Sequence, residues 1–204
     1  ANAFMGSGHV MRCLALALNA KAQGWRSIFA CNSGCGRGAL ECISDAGFEP
    51  LLLKAQAGSV ADICETAKEA KRYCADWIVL DGYHFGPEFH PRLKDAGFKT
   101  LVFDDFQHCA HYEADIVLNQ NIHASIRMYP SHSPSVRFLL GTRYSLLRPE
   151  FKEYRSMVRS IPSLADNILV TMGGSDPEDM TSKIVSLVAR ALDGRPAEVK
   201  IIVG

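Results

Sequence analysis

Hydrophobic and polar residues alternate along the chain with two different periods. Apolar positions recur at helical spacing in HVMRCLALALNAKAQG (residues 9–24) and in SVADICETAKEAKRYC (residues 59–74), and this spacing indicates amphipathic helices. Short apolar runs such as WIVL and TLVF lie between such segments, and they are typical of strands that are covered on both faces. The alternation therefore predicts right-handed βαβ units and a mostly parallel, doubly wound sheet.

The same pattern predicts several further elements. The strand segments are SIFAC, FEPLLL and ADIVLNQN, and the helix segments are ALECISDAG and the stretch around PEFHPRLKDAG. Ser59 and Asp62 suit the first turn of the second long helix, where serine and aspartate are favoured. The segment LLRPEFKEYRSMVRSIPSLADN predicts a charged helix followed by a proline-containing connection, and NILVTMGGSDPEDMTSKIVSLVARAL then predicts another strand, glycine turn and helix.

These elements predict two α/β domains. We expect an N-terminal domain over residues 1–150, a linker helix and connection over 151–166, and the start of a C-terminal domain over 167–204. The first glycine turn lacks the apolar strand that normally precedes such a turn, and nothing follows the strand VKIIVG. We therefore expect the chain to be part of a longer enzyme whose second domain is truncated here.

Composition narrows the possible partners. Lysine plus arginine and aspartate plus glutamate both number 22, so the net charge of zero gives no electrostatic reason for nucleic acid or an anionic membrane. No apolar run approaches the ~20 residues that span a bilayer, and no signal-peptide pattern opens the chain. The seven cysteines form no CxxC pair, which argues against a zinc site or a disulfide framework. We predict a cytoplasmic protein without a bound metal or cofactor.

The stretch GSGHVMR places candidate chemistry at the start of the first helix. Gly8 permits a turn, and His9 is expected in the first helical turn, where the helix dipole disfavours a protonated imidazole and suits a general base. Arg12 lies one turn later on the same face and is a candidate for attracting an anionic substrate. The alternative is structural, with the glycines shaping the turn and His9 merely capping the helix. The stretch is not a full GxGxxG, which disfavours a nicotinamide cofactor.

The stretch VTMGGSDP is the counterpart in the second domain. Gly173 and Gly174 allow the backbone to approach a phosphate, and Ser175 and the following amides can donate hydrogen bonds to it. Asp176 is the expected N-cap of the next helix, and Thr181 within that helix is a further candidate phosphate ligand.

Other polar residues follow the strands at their carboxyl ends, where open α/β sheets bind ligands. Tyr83, after Asp81, is either a sugar-orienting residue or ordinary packing. The paired Asp104 and Asp105 suggest a metal, although a salt bridge or a helix cap is the better interpretation. The amides Asn119, Gln120 and Asn121 either bind hydroxyl groups or satisfy a loop. Five histidines lack ligand spacing and are interpreted as surface or core residues: His90, His108, His111, His123 and His132.

The ordered set GSGHVMRCLALA, VLDGY, FDD, ADIVLNQN, LLGTRYSLLRPEF and ILVTMGGSDP resembles the UDP-sugar hydrolases of pseudaminic acid biosynthesis. Members of that family remove UDP from UDP-2,4-diacetamido-2,4,6-trideoxy-β-L-altropyranose. The resemblance covers nearly the whole chain. It implies a GT-B-like fold of two Rossmann-like domains, similar to that of the lipid II glycosyltransferase, with the sugar between the domains and UDP held mainly by the C-terminal one.

The resemblance also implies roles for individual residues. His9 resembles the catalytic base and Tyr83 the tyrosine of the substrate cleft, so both are candidate catalytic residues. Arg148 lies in the segment that resembles the arginine-bearing stretch and is, like Gly8, a candidate substrate-binding residue. The diphosphate loop is implied at three positions, Gly173, Gly174 and Ser175. The chain departs from the family at Asp179, where asparagine is common, and it lacks the later C-terminal loops that hold the nucleotide sugar.

The implied reaction is hydrolysis of a UDP-sugar without a metal and with inversion at the anomeric carbon. Such a site needs a base for water and stabilisation of the departing diphosphate. A glycosyltransferase of the same fold is an alternative, since fold does not decide whether water or another hydroxyl attacks. A non-catalytic module that binds nucleotide sugars is the other alternative.

Overall fold

The structure is a computed structural model that describes residues 8–172, 176 and 178–203. It divides the chain into two compact units, residues 1–152 and 153–204. The described helices and strands confirm the predicted α/β class with parallel sheets.

The first unit contains four α-helices and six strands within the described residues, besides short 3₁₀ helices. In chain order they are α1 (Gly8–Ala22), β1 (Phe29–Asn32), α2 (Arg37–Asp45), β2 (Pro50–Leu53), α3 (Val60–Arg72), β3 (Trp77–Asp81), α4 (Phe89–Asp95), β4 (Lys99–Phe103), β5 (Ile116–Asn119) and β6 (Arg137–Leu140). Strands β1 and β2 form a parallel pair, and the other four form a parallel sheet in the order β3-β4-β5-β6.

Two apolar clusters hold this unit together. The larger one joins strand residues such as Val102 and Val117 to Phe89 and Leu93 of α4, and these four side chains are at most 1% exposed. The smaller one packs α1 against α2 around Ile43. Because both strand faces and helix faces are buried in this way, the carboxyl ends of β3, β4 and β5 are held side by side.

Local signals in the sequence explain several element ends. Ser59 caps α3 by accepting a hydrogen bond from the backbone N–H of Asp62, as predicted. Gly24, with φ of +83°, follows α1 in a backbone conformation that favours glycine. Strand β6 was not predicted, because its four residues follow a stretch of seventeen residues with no clear hydrophobic period.

The second unit contains one parallel strand pair and one helix within its described residues. Strand β7 (Asn167–Thr171) pairs with β8 (Glu198–Ile202), and α5 (Met180–Leu192) connects them. The charged α-helix predicted at the start of the 151–166 linker is not formed. The chain makes a 3₁₀ helix over Pro149–Tyr154 and then no helix or strand up to residue 166. All residues from 151 to 166 are exposed, so no buried face is present to stabilise an α-helix.

Candidate functional site

Polar side chains meet where α1 begins and where β3 and β4 end. Asp81 is the last residue of β3 and lies in register with Phe103, the last residue of β4. Asp104 and Asp105 therefore follow directly at the neighbouring strand end. Helix α1 begins at Gly8, so His9 lies in its first turn as predicted. We call the side chains of His9, Arg12, Asp81, Tyr83, Asp105 and Asn121 the outer cluster.

His9 and Asp81 form the central pair of the outer cluster. The Nδ1 atom of His9 lies 2.5 Å from Oδ1 of Asp81, and the two side chains are 12% and 5% exposed. A contact this short with a carboxylate places a proton on Nδ1. The Nε2 atom is then free to accept a proton, and it has no hydrogen-bond partner among the described residues. This is the geometry of a base held in one tautomer by a carboxylate.

Arg12 joins the two carboxylates of the outer cluster. Its Nε and Nη2 atoms donate to Asp81 at 2.7 and 2.6 Å, and its Nη1 atom donates to both oxygens of Asp105 at 2.8 and 2.9 Å. Burial alone would raise the pKa of both aspartates, but the hydrogen bonds and charge of Arg12 lower both. Two carboxylates therefore share one guanidinium, and this group of three carries a net charge of −1.

Tyr83 and Asn121 complete the outer cluster around Asp105. The Tyr83 hydroxyl donates to Oδ2 of Asp105 at 2.8 Å, and its ring meets the His9 ring edge-on at 5.0 Å. Asn121 Nδ2 donates to Oδ1 of Asp105 at 3.3 Å. Burial and the hydrogen bond to Asp105 raise the pKa of Tyr83 to about 12. The phenol therefore keeps its proton near neutral pH.

The Asp104 side chain contacts a different set of residues from the Asp105 side chain. We call Asp104, His108, Asn119 and Tyr129 the inner cluster. The Asp104 carboxylate accepts hydrogen bonds from His108 Nδ1 and the Tyr129 hydroxyl, both at 2.6 Å. It also accepts from the backbone N–H groups of Gln107 and His108. Burial would raise the pKa of Asp104, but these donors hold it well below its ordinary value. Burial opposes the charge on His108, yet Asp104 outweighs it and raises the His108 pKa to about 9.

The remaining predicted residues of the first unit do not join the outer cluster through any described contact. Gly8 begins α1, and a Cβ atom placed on it would meet open space. Arg148 lies over the Phe151 ring at 5.3 Å and lines a cavity of about 220 Å³ that also touches α1 and α2. Their predicted contacts with substrate stay predictions, as does the predicted attraction between Arg12 and an anion.

The second unit holds the other predicted ligands. Gly173, Gly174 and Ser175 lie outside the described residues. Thr181 is 7% exposed, and its backbone N–H donates to Asp176 at 2.8 Å. Asp176 also accepts from the N–H of Met180, so its carboxylate satisfies two amides in the first turn of α5. The predicted N-cap position of Asp176 is nevertheless wrong, because α5 begins only at Met180 and Asp179 occupies the N-cap position. The predicted phosphate contacts of this unit remain predictions.

The sequence alone does not predict which side chains pair with each other in the two clusters. Asp81, Asp105 and Asn121 stood out as strand-end residues, but nothing in the sequence pairs the two aspartates with Arg12. Tyr129 carried no signal, because it lies in an irregular stretch. Across residues 8–172, 176 and 178–203, no group of three or more metal-ligating side chains is placed to hold a metal ion. No helix in these ranges is both long and apolar enough to cross a bilayer.

Comparison with known proteins indicates the fold class. No protein-family model matches the chain. The uncharacterized protein MJ1062 of Methanocaldococcus jannaschii is 25% identical over 185 residues, which is 89% of this chain and 37% of that protein. The crystal structure of Acinetobacter baumannii MurG is similar with a TM-score of 0.54 at 13% identity, covering 96% of this chain and 63% of MurG.

The chain thus spans 37% of the length of its curated relative and 63% of its structural neighbour. A short-chain dehydrogenase from Streptomyces avermitilis also matches with a TM-score of 0.37 at 10% identity, covering 95% of this chain and 84% of that protein. The similarity to MurG confirms the predicted GT-B-like, Rossmann-type α/β fold. At 13% identity it shows the fold alone.

Proposed function

We propose that the full protein hydrolyses a UDP-linked 2,4-diacetamido-2,4,6-trideoxyhexose and releases UDP. The observation that carries this proposal is the pair of His9 and Asp81, because it leaves Nε2 of His9 as a proton acceptor on a side chain that is 12% exposed. The family resemblance supplies the substrate, and the GT-B-like fold is compatible with a nucleotide sugar.

The proposed reaction is a single displacement at the anomeric carbon. Nε2 of His9 takes a proton from water while the water oxygen bonds to the anomeric carbon. The bond between that carbon and the β-phosphate oxygen breaks, and UDP leaves with the electron pair. Asp81 stabilises the imidazolium that forms, as a carboxylate does in hydrolytic triads. UDP is a stable anion, so no strong acid is required on the leaving oxygen.

The diphosphate is proposed to bind in the second unit rather than at the outer cluster. Three residues there, Gly173, Gly174 and Ser175, are predicted to offer backbone and hydroxyl donors, and Thr181 is a further candidate ligand. Asp176 occupies the N–H groups of Met180 and Thr181, so the glycine loop itself must supply the amide donors. Tyr83 lines the sugar side of the proposed site.

The test is UDP release by the full protein from the UDP-diacetamido sugar with no acceptor present. A hydrolase releases UDP and the free sugar in equal amounts. A glycosyltransferase releases UDP only after an acceptor hydroxyl is added, and a binding module releases none. Either of the last two results would replace the proposed function with the corresponding alternative.

A further inference from the structure

Asp105 fixes the direction of the hydrogen bond at Tyr83. Both carboxylate oxygens accept from Nη1 of Arg12, and Oδ2 also faces the Tyr83 hydroxyl at 2.8 Å. An ionised carboxylate can only accept hydrogen bonds. The single phenolic proton must therefore point at Asp105, and the lone pairs of the Tyr83 oxygen remain for another partner. The Tyr83 side chain lies at the surface, with 40% of the residue exposed.

Asn121 is oriented in the same way. Its Nδ2 atom faces three acceptors, namely the backbone oxygen and Oδ1 of Asp105 and Oδ1 of Asn119, at 3.2, 3.3 and 3.0 Å. This arrangement fixes which side of the amide is nitrogen. The Oδ1 atom of Asn121 has no partner among the described residues. Two neighbouring side chains therefore present oxygen acceptors, while the guanidinium of Arg12 is occupied by Asp81 and Asp105.

We propose that Asp105, held by Arg12, is a positioning residue that makes Tyr83 a hydrogen-bond acceptor for an amide N–H of the substrate. This inference rests on the proposed function and assigns the recognition of an acetamido group to the outer cluster. An amide N–H only donates, whereas a hydroxyl adapts to either polarity. An acceptor-presenting tyrosine therefore distinguishes an acetamido group from an ester of the same shape.

Asp105→Asn should reverse the polarity of Tyr83. Both oxygens of Asp105 face Nη1 of Arg12, but Oδ1 also faces the NH₂ group of Asn121, which can only donate, whereas Oδ2 faces the Tyr83 hydroxyl, which can donate or accept. The amide oxygen of the new side chain therefore belongs at the Oδ1 position. Its NH₂ group then faces Tyr83 and donates to the phenolic oxygen. The phenolic proton then points away from residue 105, where it repels an N–H group of the substrate and suits an ester oxygen.

The experiment compares the parent UDP-diacetamido sugar with two analogues in the full protein. Each analogue replaces one acetamido N–H by an ester oxygen, at position 2 or at position 4. We expect one analogue to lose about tenfold in kcat/KM with the natural protein, since one hydrogen bond contributes about that factor. The preference should vanish in Tyr83→Phe and vanish or reverse in Asp105→Asn. A natural protein that accepts both analogues as well as the parent, or variants that keep the natural preference, would overturn the proposal.

Phe106→Leu is the matched control, because Phe106 packs on the Tyr83 ring at 4.7 Å but makes no hydrogen bond to it. This variant should keep the preference. If Asp105→Asn does not fold, the preference measured with Tyr83→Phe alone decides whether the Tyr83 hydroxyl recognises the amide N–H. If the natural protein releases no UDP, the proposed function fails, and calorimetric binding of the parent and the two analogues decides the inference separately. Equal binding, or no binding of any of them, overturns it, and a preference lost in Tyr83→Phe supports it.

Discussion

Asp104 and Asp105 are adjacent in the chain, yet they build two clusters of different character. The Asp104 side chain is fully buried, receives four hydrogen bonds and pairs with His108, so the inner cluster is electrically balanced. The Asp105 side chain is 22% exposed and shares Arg12 with Asp81, so the outer cluster keeps excess negative charge. Within the inner cluster only Nε2 of His108 lacks a hydrogen-bond partner among the described residues. A charge-balanced cluster around a fully hydrogen-bonded carboxylate stabilises the fold, whereas open acceptors and unbalanced charge at a partly exposed position are features of a binding or catalytic site.

The largest expected effect is on stability and comes from the inner cluster. Asp104→Ala leaves the His108 charge and the Tyr129 hydroxyl buried without their acceptor. We expect the free energy of unfolding to fall by about 3–5 kcal/mol, as when one partner of a buried ion pair is removed. Urea denaturation measures this, with the exposed Asp95→Ala as control, expected within about 0.5 kcal/mol. Equal losses in both variants would show that the inner cluster is not structural.

The next effect is on turnover and comes from the outer cluster. Asp81→Asn removes the charge that holds His9 in one tautomer and stabilises its protonated form. We expect kcat for UDP release to fall by about 100-fold or more, as with other carboxylate-oriented histidines. Cys13→Ala is the matched control, because the thiol of Cys13 donates a single hydrogen bond at 3.3 Å to Oδ2 of Asp81, whereas His9 faces Oδ1. This variant should leave kcat within about twofold. An Asp81→Asn enzyme with normal kcat would separate this carboxylate from the chemistry.

The pH dependence of stability separates the two clusters further. The His108 pKa is raised to about 9 in the fold, against about 6.5 in the unfolded chain. The stabilisation from His108 is therefore complete below about pH 6.5 and disappears as the pH rises through about 9. Urea denaturation between about pH 6.5 and about pH 9 should show a falling free energy of unfolding in the natural protein but not in His108→Gln. A decline of equal size in His108→Gln would assign it to other groups.

The smallest effects come from single hydroxyl groups. Tyr129→Phe removes the group that links Asn119 Nδ2 to Asp104 at 2.9 and 2.6 Å. It should lower the free energy of unfolding by about 1–2 kcal/mol, because a buried donor loses its acceptor. Tyr83→Phe, at the partly exposed outer cluster, should cost no more than about 0.5 kcal/mol. Thermal or urea unfolding of the two variants checks the difference, and an equal cost would contradict it.

The fold followed from the sequence because its signals are local. The apolar runs of β3 and β4 and the capping by Ser59 each depend on a few neighbouring residues. Strand β6 was missed because four residues after an irregular stretch carry too little pattern. The prediction of a linker helix was wrong. It relied on a charged sequence that favours helix formation, whereas the stability of a helix in a protein depends on a buried face, which this stretch lacks.

The position of the candidate site could be predicted from the sequence, but the hydrogen-bond partners of its side chains could not. The expected position of His9 in the first turn of α1 is confirmed, and the strand-end aspartates lie where the α/β pattern puts them. The sequence cannot tell that Asp104 turns inward to Tyr129 while Asp105 turns outward to Arg12. That choice depends on which partners the folded chain brings within hydrogen-bond distance from more than twenty residues away.

The most direct test of the account is the turnover of His9→Asn in the full protein. Asparagine keeps the helix start, because it caps well, and it cannot act as a base. We expect normal stability, retained substrate binding and a kcat for UDP release lower by about 100-fold or more, the usual share of general-base catalysis. A stable His9→Asn enzyme that keeps more than about half of its kcat would contradict the central claim, since a working base contributes far more than that.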